Sequence, residues 1–349
     1  MERSINGALG RSTSWLKSRL HRETVPVDRA GSGEAPHVIA ETVTRTGSPA
    51  IVVVGPEVDT VNNLRLGEDN IYRELILKAA QRIKIVPHAV CGLLECEAGR
   101  RVELIPKKDK NGQPVLYTKG KRKGQPVTYR VTHEWDAKSF NASTNAAGLT
   151  QFLPLTWLDC ILKPGYFISD ESLSQKKPWI AEEKGRRVFV KSSGEKYEQQ
   201  DLKGIYRSSD HNVRTCLDMR FDPEWSLMVA VDYAQENWRK LLANKAIKGL
   251  DKLTDGERIK IMYLLHHEGP GDGPAFVTNT LTVPQNKFDN NVLNQDKWLK
   301  LANNDMAQAY RLSLADYIDQ RIVFSKFAYN VNAVEIVTAL VDIFSKITK

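Results

Sequence analysis

Glu97 closes the stretch VCGLLECEAG (residues 90–99) and is the side chain in this chain best suited to proton transfer. Pro87 suits a first helical turn, because the N–H it lacks would be unpaired there anyway, and Val90, Leu93 and Leu94 then share one apolar stripe. Glu97 falls three or four residues beyond them, on the same stripe. Glu95 lies about 200° around the helix and is expected to face away, into water. A carboxyl held against aliphatic side chains resists ionisation, so it can still carry a proton at neutral pH and donate it, as a general acid must. By itself the same feature fits a structural glutamate equally well.

Other chemistry-bearing groups narrow the choice. Cys91, Cys96, Cys160 and Cys216 show no CxxC spacing and no paired histidine pattern, which argues for buried free thiols and against zinc or a disulfide framework. His267 and Glu268 do not belong to an HExxH motif. No metal and no cofactor is expected. Net charge is +8 and the pI about 9.1, which implies an anionic partner: nucleic acid, an acidic membrane surface or a wall polymer with free carboxylates.

The elements that must position Glu97 read as follows. Residues 1–48 are rich in Ser, Gly, Thr and Arg and form an expected flexible arm, either plainly disordered or a docking tail. Residues 50–54 (AIVVV) read as a buried strand, and residues 69–85 as a helix through Ile71, Leu75, Ile76 and Ala79. The Glu97 helix follows. Between residues 100 and 133 the pattern changes to period two in VELI, PVLYT and PVTYRV, with Asn111-Gly112 and KGKRKG as turns, a small antiparallel sheet with a basic tip. Lys107, Lys108, Lys110, Lys119, Lys121 and Lys123 either grip an anionic polymer or form a solvated loop.

Around Gly148, small residues permit close backbone approach, and Leu149, Phe152, Leu153 and Trp157 read as one helical stripe with Gln151 embedded in it. Residues 164–220 are polar and turn-rich with one strand at residues 187–191, an inserted lobe. Asp222-Pro223 caps a long helix, Thr254 begins another that runs to His267, and beyond Gly269-Pro270-Gly271 the chain is mostly helical, ending in an amphipathic segment at residues 334–347. The expected organisation is an arm at residues 1–48, a catalytic domain at 49–285 and a C-terminal helical extension at 286–349 packed on the body.

Three motifs in this order resemble the lysozyme-like soluble lytic transglycosylase family, in its phage and phage-derived peptidoglycan-degrading form. Glu97-Ala98-Gly99 is similar to the family's acid, small residue and glycine at a helix end. Ser143 followed by residues 145–151 (NAAGLTQ) is similar to its serine and Gly-Ala-x-Gly-Leu-Met-Gln run opening a helix, with Asn145 and Thr150 departing from the commonest residues. Asparagine tolerates the left-handed backbone as glycine does, and threonine for methionine is expected to alter the groove lining. Residues 263–271 (YLLHHEGPG) resemble the phage version of the third motif, with His266 in the tyrosine place, and the helix after Asp222 carries Ala230, Asp232, Tyr233 and Ala234 in the manner of the preceding family helix.

The resemblance covers about residues 67–280 and implies an α+β, mostly helical, lysozyme-like fold with a small antiparallel sheet after the catalytic helix. It implies cleavage of the β-1,4 bond between N-acetylmuramic acid and N-acetylglucosamine, with Glu97 as the single catalytic acid and a 1,6-anhydro sugar as product. Ser143 and Gln151 would hydrogen-bond the sugars, the Gly148-Leu149 segment would wall the groove, and His266 would stand near the acid or hold the loop, or else be a satisfied core histidine. A hydrolase of the same fold, a muramidase, needs a second carboxylate roughly 5 to 9.5 Å away, for which Glu134 and Asp136 are the candidates. Trp135, Phe152 and Trp157 either stack on sugar faces or belong to the core. A non-catalytic wall-binding or virion protein is the third reading.

The implied partners are peptidoglycan glycan strands and, through the arm, a carrier or virion component. Nucleic acid is not expected, since no recognition motif is present, and neither is a membrane span. The N-terminus lacks the apolar core of a secretory signal, so the expectation is action on the bacterial wall after delivery by phage lysis, a virion or a secretion apparatus.

Overall fold

A computed structural model describes residues 59–347. The arm at residues 1–48 and the strand expected at residues 50–54 lie outside the described residues. Among the described residues there are twelve α-helices and three small antiparallel sheets, a mostly helical α+β arrangement.

Local capping chemistry sets three of the helix starts. Pro87 occupies the first turn of the Pro87–Glu97 helix. The Asp222 carboxylate accepts from Glu224 N (2.9 Å) and Trp225 N (3.1 Å) ahead of the Pro223–Leu242 helix. Thr254 and Glu257 form a capping box at the Asp255–Val277 helix, which breaks at Gly269 (φ 80°, ψ 172°), so His266 and Glu268 sit on its last regular turn.

The Pro87–Glu97 helix is the centre of the core. Every residue in it except Glu95 is buried, so one apolar stripe is too narrow a description. It packs on Arg73–Ile83, Asp255–Val277 and Met306–Arg321. Gly92 allows a close approach to the residue that follows the last of these helices, since a Cβ there would lie 3.1 Å from Ile322 Cγ2. Tyr317 donates to the Cys96 carbonyl (2.8 Å), and Ala328 bridges to Leu64. Residues 306–328 therefore contribute to the same core as the acid-bearing helix. All four cysteines are buried free thiols.

Several expected elements differ. The helix read at residues 69–85 is a 3-10 helix, Gly67–Tyr72, followed by Arg73–Ile83, and the tighter turn leaves Ile71 68 % exposed. The helix expected from Leu149 begins only at Pro154 (Pro154–Ile161), because Gly148 (φ 79°) and Gln151 (φ 49°) take left-handed conformations that no helix accommodates. After Glu97 come β1 (Arg100–Pro106) and β2 (Thr128–Trp135), paired antiparallel; PVLYT forms no strand of its own but extends the hairpin through bridges and backbone hydrogen bonds. The 164–220 region holds three helices and a three-stranded sheet in which β5 (Ile180–Glu183) and β7 (Lys196–Tyr197) flank β6 (Arg186–Val190). At the C-terminus only Leu340–Ile347 is helical; upstream, Glu335 turns aside to accept from Gly256 N (3.0 Å) at the start of the Asp255–Val277 helix.

Candidate active site

Glu97 ends its helix with 3 % of its surface exposed. Two residues on, Gly99 abuts Ser139: a Cβ at Gly99 would lie 2.5 Å from Ser139 Oγ. The Ser139 carbonyl in turn accepts from Gly148 N (2.9 Å) and from Gln151 Nε2 (3.3 Å). Ser139 thus joins the Glu97-Ala98-Gly99 turn to the Gly148–Gln151 turn across some fifty residues of sequence.

The second turn is clamped from the other side as well. A Cβ at Gly148 would sit 1.8 Å from the Arg220 carbonyl oxygen, so only glycine fits there. The Arg220 guanidinium donates to the carbonyls of Asn145 (2.8 Å) and Phe152 (3.0 Å), gripping both ends of the turn. Thr150, expected to line the groove, is instead fully buried, and its Oγ1 donates to the Ser226 carbonyl (3.0 Å). Leu149 is in the core, and Gln151 spends its amide N–H groups on the Ser139 and Gly148 carbonyls (2.8 Å to the latter), bracing the turn from within.

His266 arrives from the helix that follows the Thr254 cap. Its Nε2 lies 3.6 Å from Glu97 Oε1, with the ring edge-on between Phe152 (5.4 Å) and Tyr233 (5.6 Å). Burial, aided by the neighbouring His267, pushes its pKa down to about 4 against a weaker opposing effect of the Thr150 backbone. His266 is therefore neutral at neutral pH and gives Glu97 no cationic partner.

The other expected groups are placed differently. Ser143 is exposed at the tip between β3 (Phe140–Asn141) and β4 (Ala146–Ala147), where its Oγ donates to Asn141 Oδ1 (2.7 Å). Glu134 is held in a two-point pair by Arg101 (2.7 and 3.1 Å), and that bonding keeps its carboxyl below the usual range. Asp136 donates its N–H to the Gly99 carbonyl (2.7 Å), which brings its backbone beside the Glu97 turn, while its carboxylate accepts from Lys138 N (2.9 Å). Glu95 faces away from Glu97 and is partly exposed, and it also accepts from Arg100 Nη2 (2.6 Å) and Trp135 Nε1 (3.1 Å). Trp135, Phe152 and Trp157 are all core residues, Trp157 Nε1 donating to the Cys216 carbonyl (2.9 Å).

Comparison with models of known families, with curated proteins and with solved structures finds no match. The arrangement therefore has to be read from its own geometry. Two cavities, of about 290 and 580 Å³, are lined by other residues, the first by Asp69, Glu95 and Arg100 among others and the second by Lys163, Tyr166 and Glu236 among others. The one group of metal-ligand type among the described residues is Glu68, His133 and Glu134 at the root of the β1–β2 hairpin, where Arg101 already holds both Glu134 oxygens. Ser139 and Arg220 are the positioning residues that sequence reasoning missed. Ser139 had no pattern around it, and Arg220 precedes the Asp222 cap as an unremarkable basic residue.

Proposed function

We propose that this protein is a peptidoglycan lytic transglycosylase of lysozyme-like fold, cleaving the bond between N-acetylmuramic acid and N-acetylglucosamine with Glu97 as its single catalytic carboxylate. The observation that carries this reading is the buried Glu97 carboxyl beside a histidine that is neutral at neutral pH. A general acid must hold its proton before it protonates the bridging oxygen, and burial disfavours the charged form of a carboxyl. The resulting carboxylate then accepts the proton of the muramic acid C6 hydroxyl as that oxygen closes on C1, and the acid is restored without water.

A hydrolase would need a second carboxylate, and neither candidate is well disposed to serve. Glu134 is committed to Arg101 and Asp136 to the turn at Lys138. The lysozyme-like reading of the fold rests on the buried acid-bearing helix, the hairpin that starts three residues after the acid, and the helical lobe that returns His266 to it. Action on the wall requires delivery, for which phage lysis, a virion or a secretion apparatus are the proposed routes.

Mass spectrometry of sacculus digests tests the reading. The parent protein is expected to release muropeptides with 1,6-anhydro ends and Glu97→Gln to release none. Reducing muramic ends would make it a muramidase, and products undiminished in Glu97→Gln would remove Glu97 from the chemistry.

A further inference from the structure

The chain's charge is not spread over the molecule. Residues 101–131 hold nine Lys and Arg against two acids, so this one segment carries +7 of the net +8. It is the β1–β2 hairpin, and beyond the named strands it continues as a hydrogen-bonded ladder, Val115 N to the Lys107 carbonyl (2.8 Å), Val127 N to Val115 (2.7 Å) and Tyr117 N to Gln125 (2.9 Å). The arm is thus a built structure rather than a loose loop. β1 alone, seven residues, reaches roughly 20 Å from its root.

At the far end Lys119, Lys121, Arg122 and Lys123 are exposed around Gly120 (φ 74°) and Gly124 (φ 82°), facing no acid in the turn. Lys107, Lys108 and Lys110 are exposed on the neighbouring strand-to-turn segment. Among the described residues none of these six lysines makes an ion pair, while the nearest acid, Asp109, spends its carboxylate on the N–H groups of Asn111 (2.8 Å) and Gln113 (2.9 Å). Nearer the root, Leu104 (63 % exposed) and Tyr129 (52 % exposed) stand on opposite faces of the ribbon, Leu104 paired with Arg130 and Tyr129 with Ile105. The root itself is the Glu97 turn: β1 begins three residues after the acid, and Asp136 N closes on the Gly99 carbonyl.

From this juxtaposition we infer that the hairpin is a gripping arm for a carboxylate-bearing glycan, holding the stem-peptide carboxylates of an extended strand while the sugar backbone runs past Glu97. The inference rests on the proposed cleavage of peptidoglycan and adds the feature of that polymer which is recognised. An uncompensated cationic arm attracts a polyanion over about a Debye length, so the grip weakens steeply with salt.

Binding to purified sacculi, measured by co-sedimentation in a Glu97→Gln background, reads the grip without turnover. Replacing Lys119, Lys121, Arg122 and Lys123 together by Gln is expected to weaken binding about tenfold or more at low salt, with a shallower salt dependence. The charge-keeping set Lys119→Arg, Lys121→Arg, Arg122→Lys and Lys123→Arg is expected to bind like the parent, which separates charge from folding. Sacculi whose carboxylates have been amidated are expected to lose the parent's binding to a similar degree. Undiminished binding by the glutamine set, equal binding to amidated sacculi, or tighter binding to phosphatidylglycerol vesicles or duplex DNA at the same salt would overturn the inference. A parent that grips sacculi through this arm yet releases no muropeptides would leave the arm standing and remove the catalytic reading.

Discussion

Two buried glutamates, Glu268 on the Asp255–Val277 helix and Glu97 at the end of the Pro87–Glu97 helix, each have one of the adjacent histidines His267 and His266 beside them and do different things. Glu268 is surrounded by donors: His267 at 2.9 Å, Lys287 at 2.7 Å and the Tyr310 hydroxyl. Burial works against its ionisation, yet the bonds and charges of His267 and Lys287 outweigh it and hold the carboxyl down at about 2. Such a group is a permanent anion that ties the kinked helix end to the Gln285–Asn291 and Met306–Arg321 helices. Glu97, at the end of the Pro87–Glu97 helix, meets His266 of the Asp255–Val277 helix at 3.6 Å, and that ring is neutral at neutral pH. Burial alone says little about a carboxyl: at Glu268 the cation and donors inside the low-dielectric site outweigh desolvation and keep the group charged.

The largest expected effect breaks the pair apart. Glu97→Gln should lower muropeptide release by about 10²- to 10⁴-fold, as loss of a general acid does, with little change in melting temperature. Glu268→Gln should do the reverse, costing about 3 kcal/mol of stability by removing the buried anion shared by His267, Lys287 and Tyr310 and leaving Lys287 only Asp272 (2.7 Å), with activity following the folded fraction. Thermal or urea unfolding beside a turnover assay checks both, and a Glu268→Gln protein that is stable but inactive would erase the distinction.

Acid sharpens the contrast by giving each glutamate–histidine pair its own window. His266 titrates near 4 in the folded chain and near 6.5 unfolded, so it adds nothing at pH 7; as pH falls below 6.5 the unfolded chain binds the extra proton and stability drops, by about 3 kcal/mol by pH 4. Glu268, about 2 folded against 4.5 unfolded, contributes stability above 4.5 that is lost between 4.5 and 2. Urea unfolding from pH 7 to 4 should show a slope that His266→Gln flattens, with Glu97 and His267 as the titratable neighbours of the ring. An unchanged slope in that variant would mean another group carries it.

The smallest expected effect concerns Glu134. Because Arg101 holds it, Glu134→Gln should leave muropeptide release within about twofold of the parent. A tenfold loss would restore the two-carboxylate mechanism.

Much of the framework was legible from neighbouring residues alone. The start at Pro87, the Asp222 cap, the Thr254 capping box, the hairpin after Gly99 and the break at Gly269 all depend on side chains within a few positions of the backbone they cap or turn. The 3.6-residue period also separated buried Glu97 from partly exposed Glu95, although it could not show that Glu95 is bonded to Trp135, which lies forty residues away. The apolar run at Leu149 misled because two left-handed residues interrupt it, and their conformation is imposed by contacts with residues 139 and 220.

By itself the amino-acid order determined where the capped helices at Pro87, Pro223 and Asp255 begin, that Glu97 would be buried and that the charge would gather on one hairpin, because capping, periodicity and composition act over short spans of chain. Only the tertiary structure decided that Ser139 joins the two glycine turns, that the Arg220 carbonyl excludes any side chain at Gly148, and that His266 reaches Glu97 without a charge to offer it. Those outcomes depend on which distant groups share a desolvated space, and the free energy of a buried polar group is set by its neighbours in that space, however far along the chain they lie.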